Sequence, residues 1–186
     1  MKKACLITIL AAVACFAGYE EQIVDIWSAR NFFSSEITRL DITPFDTLTE
    51  KGKFILNNPY FHFETESELI IFTGETLYTF TSGSDVGIKT PIEEFIYADI
   101  GVLIARLRED FNIGYIPKDG GVSVIGRDGT GNVDRFDAIL DSEFLPKRVS
   151  WVDIFGNEVV LIFGKASTKD TGQKISPPKG IDFILE

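Results

Sequence analysis

The side chains able to do chemistry are few and scattered. His62 is the only histidine. It alternates with Phe61 and Phe63, which puts it on the polar side of a strand, and it has no His or Cys partner outside the first 15 residues to share a metal. Asp128-Gly-Thr-Gly-Asn-Val-Asp134 has the acid spacing of a calcium loop. It lacks a glycine at its sixth position, and its twelfth position, Ile139, supplies no bidentate carboxylate. A hairpin turn using Gly and Asn at positive φ is the simpler expectation. The acid pairs Glu93-Glu94 and Glu109-Asp110 sit where helices start or end, the ordinary place for solvated carboxylates. No Gly-x-Ser-x-Gly elbow, Ser-x-x-Lys or Walker A pattern is present. The expectation is a protein that is not an enzyme and needs no metal or cofactor.

Composition points the same way. The chain carries 28 acidic and 18 basic residues, a formal net charge of −10, so it offers little to a phosphate backbone. Its hydrophobic residues (45%, with 16 Phe) are enough for one well-buried domain. Lys2 and Lys3 followed by the apolar run Ala4 to Ala14 read as a secretory signal peptide, residues 1–17, ahead of a single domain, 18–186. Both cysteines, Cys5 and Cys15, fall in that leader, which excludes a disulfide scaffold or thiol nucleophile from the domain. Ala12-Val13-Ala14-Cys15 also resembles a lipobox, so the alternative to a freely exported protein is one anchored through an acylated Cys15.

Behind the leader the hydrophobic period sets the elements. Ile23, Ile26, Trp27 and Arg30 recur at helical spacing, predicting a helix over Glu20 to Asn31. Short Phe-, Ile- and Thr-rich runs then predict strands at Phe32–Thr43, Gly52–Leu56, Tyr60–Glu66, Leu69–Phe72 and Glu75–Phe80, each ended by Pro, Gly or Asn. Thr90-Pro91-Ile92-Glu93 reads as a capping box opening a short helix, with a second one capped by Asp99. Strands resume at Phe111–Ile116, Val122–Arg127, Val133–Leu140, Lys147–Ile154, Glu158–Phe163 and Ile181–Leu185. The fold class expected is α+β: one large curved antiparallel sheet, an unclosed barrel, with an N-terminal helix and a short helical lid over an apolar concave face. Clean alternation predicts one apolar face and one wet face. Phe54, Phe61, Phe63, Phe111, Ile113, Phe136 and Leu140 are expected to line the concave side, opposite the helical stripe Ile96, Ile100, Leu103 and Leu107. That stripe is either plain core or a lid over an acyl-binding cavity.

The order of motifs resembles the periplasmic lipoprotein-carrier family, LolA, and its lipoprotein relative LolB. Gly52-Lys-Phe-Ile-Leu-Asn-Asn-Pro59 with Phe61 and Phe63 is similar to the family's Gly-x-Leu-x-x-x-Arg-Pro stretch and aromatic strand. Gly74-Glu-Thr-Leu-Tyr-Thr-Phe80 resembles its Leu-Trp-x-Tyr hairpin. Leu145-Pro146 with Asp153-Ile-Phe-Gly-Asn157 resembles its "Leu-Pro … Asp-x-x-Gly-Asn" hairpin, and Pro178-Lys-Gly-Ile-Asp182 resembles its ending. The resemblance implies a periplasmic carrier of lipoprotein acyl chains. It also implies two partners, an inner-membrane lipoprotein-releasing transporter and an outer-membrane acceptor, or a LolB-like receptor if Cys15 is acylated. It favours the lid reading of the stripe. The family's lid-tying Arg would fall at Asn58, which has no charge to contribute.

Overall fold

A computed structural model describes residues 18–91, 105, 107–170, 172, 174–177 and 179–185. Helix α1 spans residues 18–28, and a short helical turn follows at 107–110. Twelve strands make one sheet: β1 (Phe32–Ile42), β2 (Thr47–Asn57), β3 (Tyr60–Thr65), β4 (Glu68–Phe72), β5 (Thr76–Thr81), β6 (Val86–Pro91), β7 (Asn112–Lys118), β8 (Gly121–Arg127), β9 (Val133–Asp141), β10 (Pro146–Asp153), β11 (Glu158–Ser167) and β12 (Asp182–Leu185). Their spatial order is β12-β6-β5-β4-β3-β2-β1-β11-β10-β9-β8-β7. Two meanders, β1 to β6 and β7 to β11, are joined through β1 and β11. The edges, β7 and β12, do not pair, so the sheet stays unclosed.

The pairing explains the curl. β1 and β2 align residue for residue from Phe32↔Asn57 to Ile42↔Thr47. On its other side β1 slips against β11 between Ser35 and Ile37. An extra residue on one strand bends it and increases the local twist, which starts the sheet curving at its centre.

Register also sorts side chains between two faces. On one face lie Phe54, Phe61, Phe63, Ile70, Phe72 and Leu77, through the pairs Phe54↔Phe63, Phe61↔Phe72, Phe63↔Ile70 and Phe72↔Leu77. Ile113, Val122, Val124, Phe136, Ala138 and Leu140 continue it across β7 to β9. Helix α1 rests on this inner face: Ile23 packs with Tyr115, Val122, Leu140 and Phe144.

Three expectations need correcting. Thr90 and Pro91 do not open a helix: they end strand β6, opposite Leu77 and Thr76. Pairing with the preceding strand overrides the local capping signal. The sheet is not wholly antiparallel, because β12 runs parallel to β6. Six strands separate β11 from β12, so the intervening segment must carry the chain past them. Its roughly 14 residues can reach about 48 Å, more than the ~34 Å of seven strand spacings. Phe183 then docks over Gly87, where a side chain would collide with its ring, and packs edge-on against Tyr78 at 5.0 Å. Finally, the outer face is not simply wet. Ile55, Ile71 and Val160 point to it and are fully buried.

Candidate functional site

The inner face divides into two regions. Over part of β7 to β9 it is covered by α1, with Tyr115, Val122 and Leu140 buried beneath it while Phe136 and Val149 stay half-buried. The Trp27 indole N–H donates to the Phe144 carbonyl at 2.9 Å, and its ring meets Phe33 edge-on at 5.5 Å. Arg30 lies over the same indole, 4.7 Å from its centre. The Tyr115 hydroxyl donates to Glu20 at 3.0 Å. Burial, reinforced by that carboxylate, pushes the phenol well above its ordinary pKa, so it stays a neutral donor. Glu20 also pairs with Arg108, which ties α1 to the turn at 107–110. The same turn is held at its end by Thr130, whose N–H and hydroxyl both donate to Asp110 at 3.1 Å.

The loop from β9 to β10 is what presents Phe144 to this core. Asp141 accepts the N–H groups of Glu143 and Leu145, each at 3.0 Å, and pairs with Lys147 at 3.0 Å. Its partial burial acts to raise its pKa, but these donors outweigh that and hold the carboxyl below the usual range. Phe144 sits at φ 56°, a left-handed conformation that the braced loop sustains.

Over β2 to β5 the inner face has a different character. Phe33 is fully buried, and its ring meets Phe54 at 6.0 Å and Phe163 at 6.2 Å. Phe61 stacks on buried Phe72 at 6.2 Å. Phe54, Phe61, Phe63, Ile70 and Leu77 are only half-buried. Five adjacent apolar side chains thus keep part of their surface accessible.

The residues expected at the site divide accordingly. Phe54, Phe61 and Phe63 sit together in the half-open region. Ile113 and Phe136 lie across the sheet on the same face, and Phe111, just before β7, packs edge-on against Phe136 at 5.1 Å. Gly126 is bare beneath that ring, where any side chain would meet it. Leu140 belongs to the core under α1. Leu107 is half-buried in the short helical turn. Ile96, Ile100 and Leu103 lie outside the described residues. Asn58 is exposed in the β2–β3 turn, its N–H donating to the Asn31 carbonyl at 2.9 Å. His62 faces the outer side, 3.0 Å from Glu64. Among the described residues no three His, Cys, Asp or Glu side chains gather into a metal-holding group.

Phe33, Ile70, Phe72, Leu77 and Phe163 join the aromatic field without having been singled out from the sequence. The run Leu69-Ile-Ile-Phe72 is apolar throughout, so alternation could not say which of its side chains turn inward; only pairing with β3 does.

Among the described residues a cavity of about 640 Å³ opens on the outer face, lined by Glu36, Thr38, Lys51, Lys53 and Ile162 among others. Glu36, Lys51 and Lys53 make it charged. A smaller one of about 190 Å³ lies beside Phe111 and Val133.

No protein-family model and no curated protein sequence matches the chain. Solved structures do. An uncharacterized conserved protein from Thermus thermophilus superposes with a TM-score of 0.59 at 9% identity, covering 91% of this chain and 99% of that one. A DUF1329 family protein from Desulfovibrio piger gives a TM-score of 0.47 at 8% identity, covering 86% and 95%. A LolA superfamily protein from Nitrosomonas europaea gives 0.39 at 10% identity, covering 81% and 93%. The first likeness establishes a shared fold.

Proposed function

We propose that this protein is a non-enzymatic carrier that holds the acyl chains of an amphiphile, a lipoprotein in the first instance, on the inner face of its sheet and ferries them through the periplasm. The observation that carries the proposal is the half-buried field Phe54, Phe61, Phe63, Ile70 and Leu77 on the face that α1 leaves open. Such a field favours a long apolar ligand with no fixed polar pattern. Each CH₂ removed from water contributes about 0.8 kcal/mol, so contact with part of one acyl chain already outweighs thermal energy. The stripe Ile96, Ile100, Leu103 and Leu107 is the lid in this reading, closing over the cargo and moving to release it. The leader supports export, and the resemblance in motif order supports a transporter as donor and an outer-membrane acceptor.

Native mass spectrometry of the protein purified from cells tests this. The expected result is a co-purifying acyl-bearing species, lost when Phe61 and Phe63 are both changed to Asp. A spectrum of ligand-free protein that also fails to bind a fluorescent fatty-acyl probe would contradict it. Diacylglycerol linked to Cys15 would instead identify a lipid-anchored receptor.

A further inference from the structure

Two neighbouring hairpin tips at one end of the sheet present aromatic side chains to solvent. Phe45, in the β1–β2 turn, is 97% exposed, and Phe155, in the β10–β11 turn, is 79% exposed. Leu48 and Ile154 beside them are each more than half exposed. The turns are adjacent because Ile42 pairs with both Thr47 and Glu158.

The two tips use the same device. In the first, the Thr43 hydroxyl accepts the N–H groups of Phe45 at 3.3 Å and Asp46 at 3.1 Å. In the second, Asp153 accepts the N–H groups of Phe155 at 2.8 Å and Asn157 at 2.9 Å. Each bracing side chain stands two residues before its Phe and fixes the turn that holds the ring outward. The carboxylates of these turns are engaged with their own backbone, Asp46 through the Thr47 N–H at 2.7 Å. The other hairpin turns at this end, Glu66-Ser67, Ser82–Asp85 and Asp128–Asn132, carry only small or polar side chains. The aromatic tips therefore form a local feature at the centre of the sheet end.

We infer that Phe45 and Phe155, with Leu48 and Ile154, dip into the surface of an electroneutral phospholipid bilayer and dock the protein there. Convex, braced tips suit a fluid apolar layer, which needs no preformed socket. The chain's net charge of −10 selects against an anionic surface and in favour of zwitterionic headgroups. Four partly inserted apolar side chains give reversible binding, as a protein that must leave the membrane again requires.

The test places an environment-sensitive fluorophore on single cysteines, Phe45→Cys, Phe155→Cys or Asp119→Cys, in a full chain bearing Cys5→Ser and Cys15→Ser. Asp119 lies in the β7–β8 turn at the opposite end of the sheet. Phosphatidylcholine vesicles should raise and blue-shift emission from positions 45 and 155 and leave 119 unchanged. Adding Phe155→Ser should lower the vesicle affinity reported from position 45 about tenfold. Emission unaffected at all three positions would overturn the inference and leave a protein partner as the occupant of the tips. An equal response at 119, or one insensitive to Phe155→Ser, would overturn it as well. Fatty-acyl probe binding should be unaffected by Phe45→Ser and Phe155→Ser, which separates failure of this docking surface from failure of the carrier reading.

Discussion

Two regions of one face are built from the same kind of strand and end up differently. Over β7 to β9, Tyr115, Val122 and Leu140 meet α1 and form an ordinary core with Ile23 and Phe144, while Ile113, Val124 and Phe136 at its margin are half-buried. Over β2 to β5, equally apolar strands meet no described helix, and Phe54, Phe61, Phe63, Ile70 and Leu77 stay half-buried. Half-buried apolar side chains set side by side gain from anything apolar that covers them. The first region is therefore read as scaffold and the second as the site. Phe33, against Trp27 on one side and Phe54 on the other, is the seam between them.

The sharpest way to break this division is to truncate one residue in each region. Leu140→Ala should cost about 2–5 kcal/mol, because the surrounding core cannot collapse into the space left. Phe63→Ala should cost markedly less, because that ring is already partly in water. Urea unfolding of both, alongside acyl-probe titration, should show stability falling mainly in the first variant and affinity mainly in the second. Equal losses of stability would erase the distinction.

Part of this division was legible in the sequence. The period of 3.6 at Ile23, Ile26 and Trp27 marks a helix, and α1 does occupy residues 18–28. Alternation at Phe61 and Phe63, and at Phe136 and Leu140, gave faces that the register upholds. Strand β6 was hidden because Val86-Gly-Ile-Lys-Thr-Pro91 carries a glycine and ends in a capping-box motif; it is a strand because β5 and β12 pair with it. The buried outer-face positions Ile55 and Ile71 were illegible for another reason. Their burial is set by long-range neighbours that strand periodicity does not record. The aromatic tips escaped attention because a lone Phe in a turn carries no period.

Smaller effects sharpen the scaffold half. Trp27→Phe keeps the ring against Phe33 but leaves the Phe144 carbonyl without its donor, and should cost about 1 kcal/mol with probe affinity unchanged. Thermal unfolding followed by circular dichroism would detect it.

Asp141 gives the mildest prediction. Its folded-state pKa is depressed, so its contribution to stability is complete above the unfolded carboxylate range. It is lost as pH falls through the folded value, where the native state must take up a proton. Asp141→Asn should therefore be slightly less stable than the parent at neutral pH, and the difference should close below the carboxylate range. A gap that widens on acidification would contradict the role given to the loop donors. Parallel melts across pH 2 to 7 decide it.

The central claim is that cargo lies on the open part of the inner face. A fatty acid carrying a photoactivatable diazirine, cross-linked to the purified protein and located by peptide mass spectrometry, addresses it directly. The account predicts adducts on β2 to β5 at Phe54, Phe61, Phe63, Ile70 or Leu77, competed away by unlabelled fatty acid. Adducts concentrated on the outer face, around the cavity lined by Lys51, Lys53 and Ile162, would contradict it.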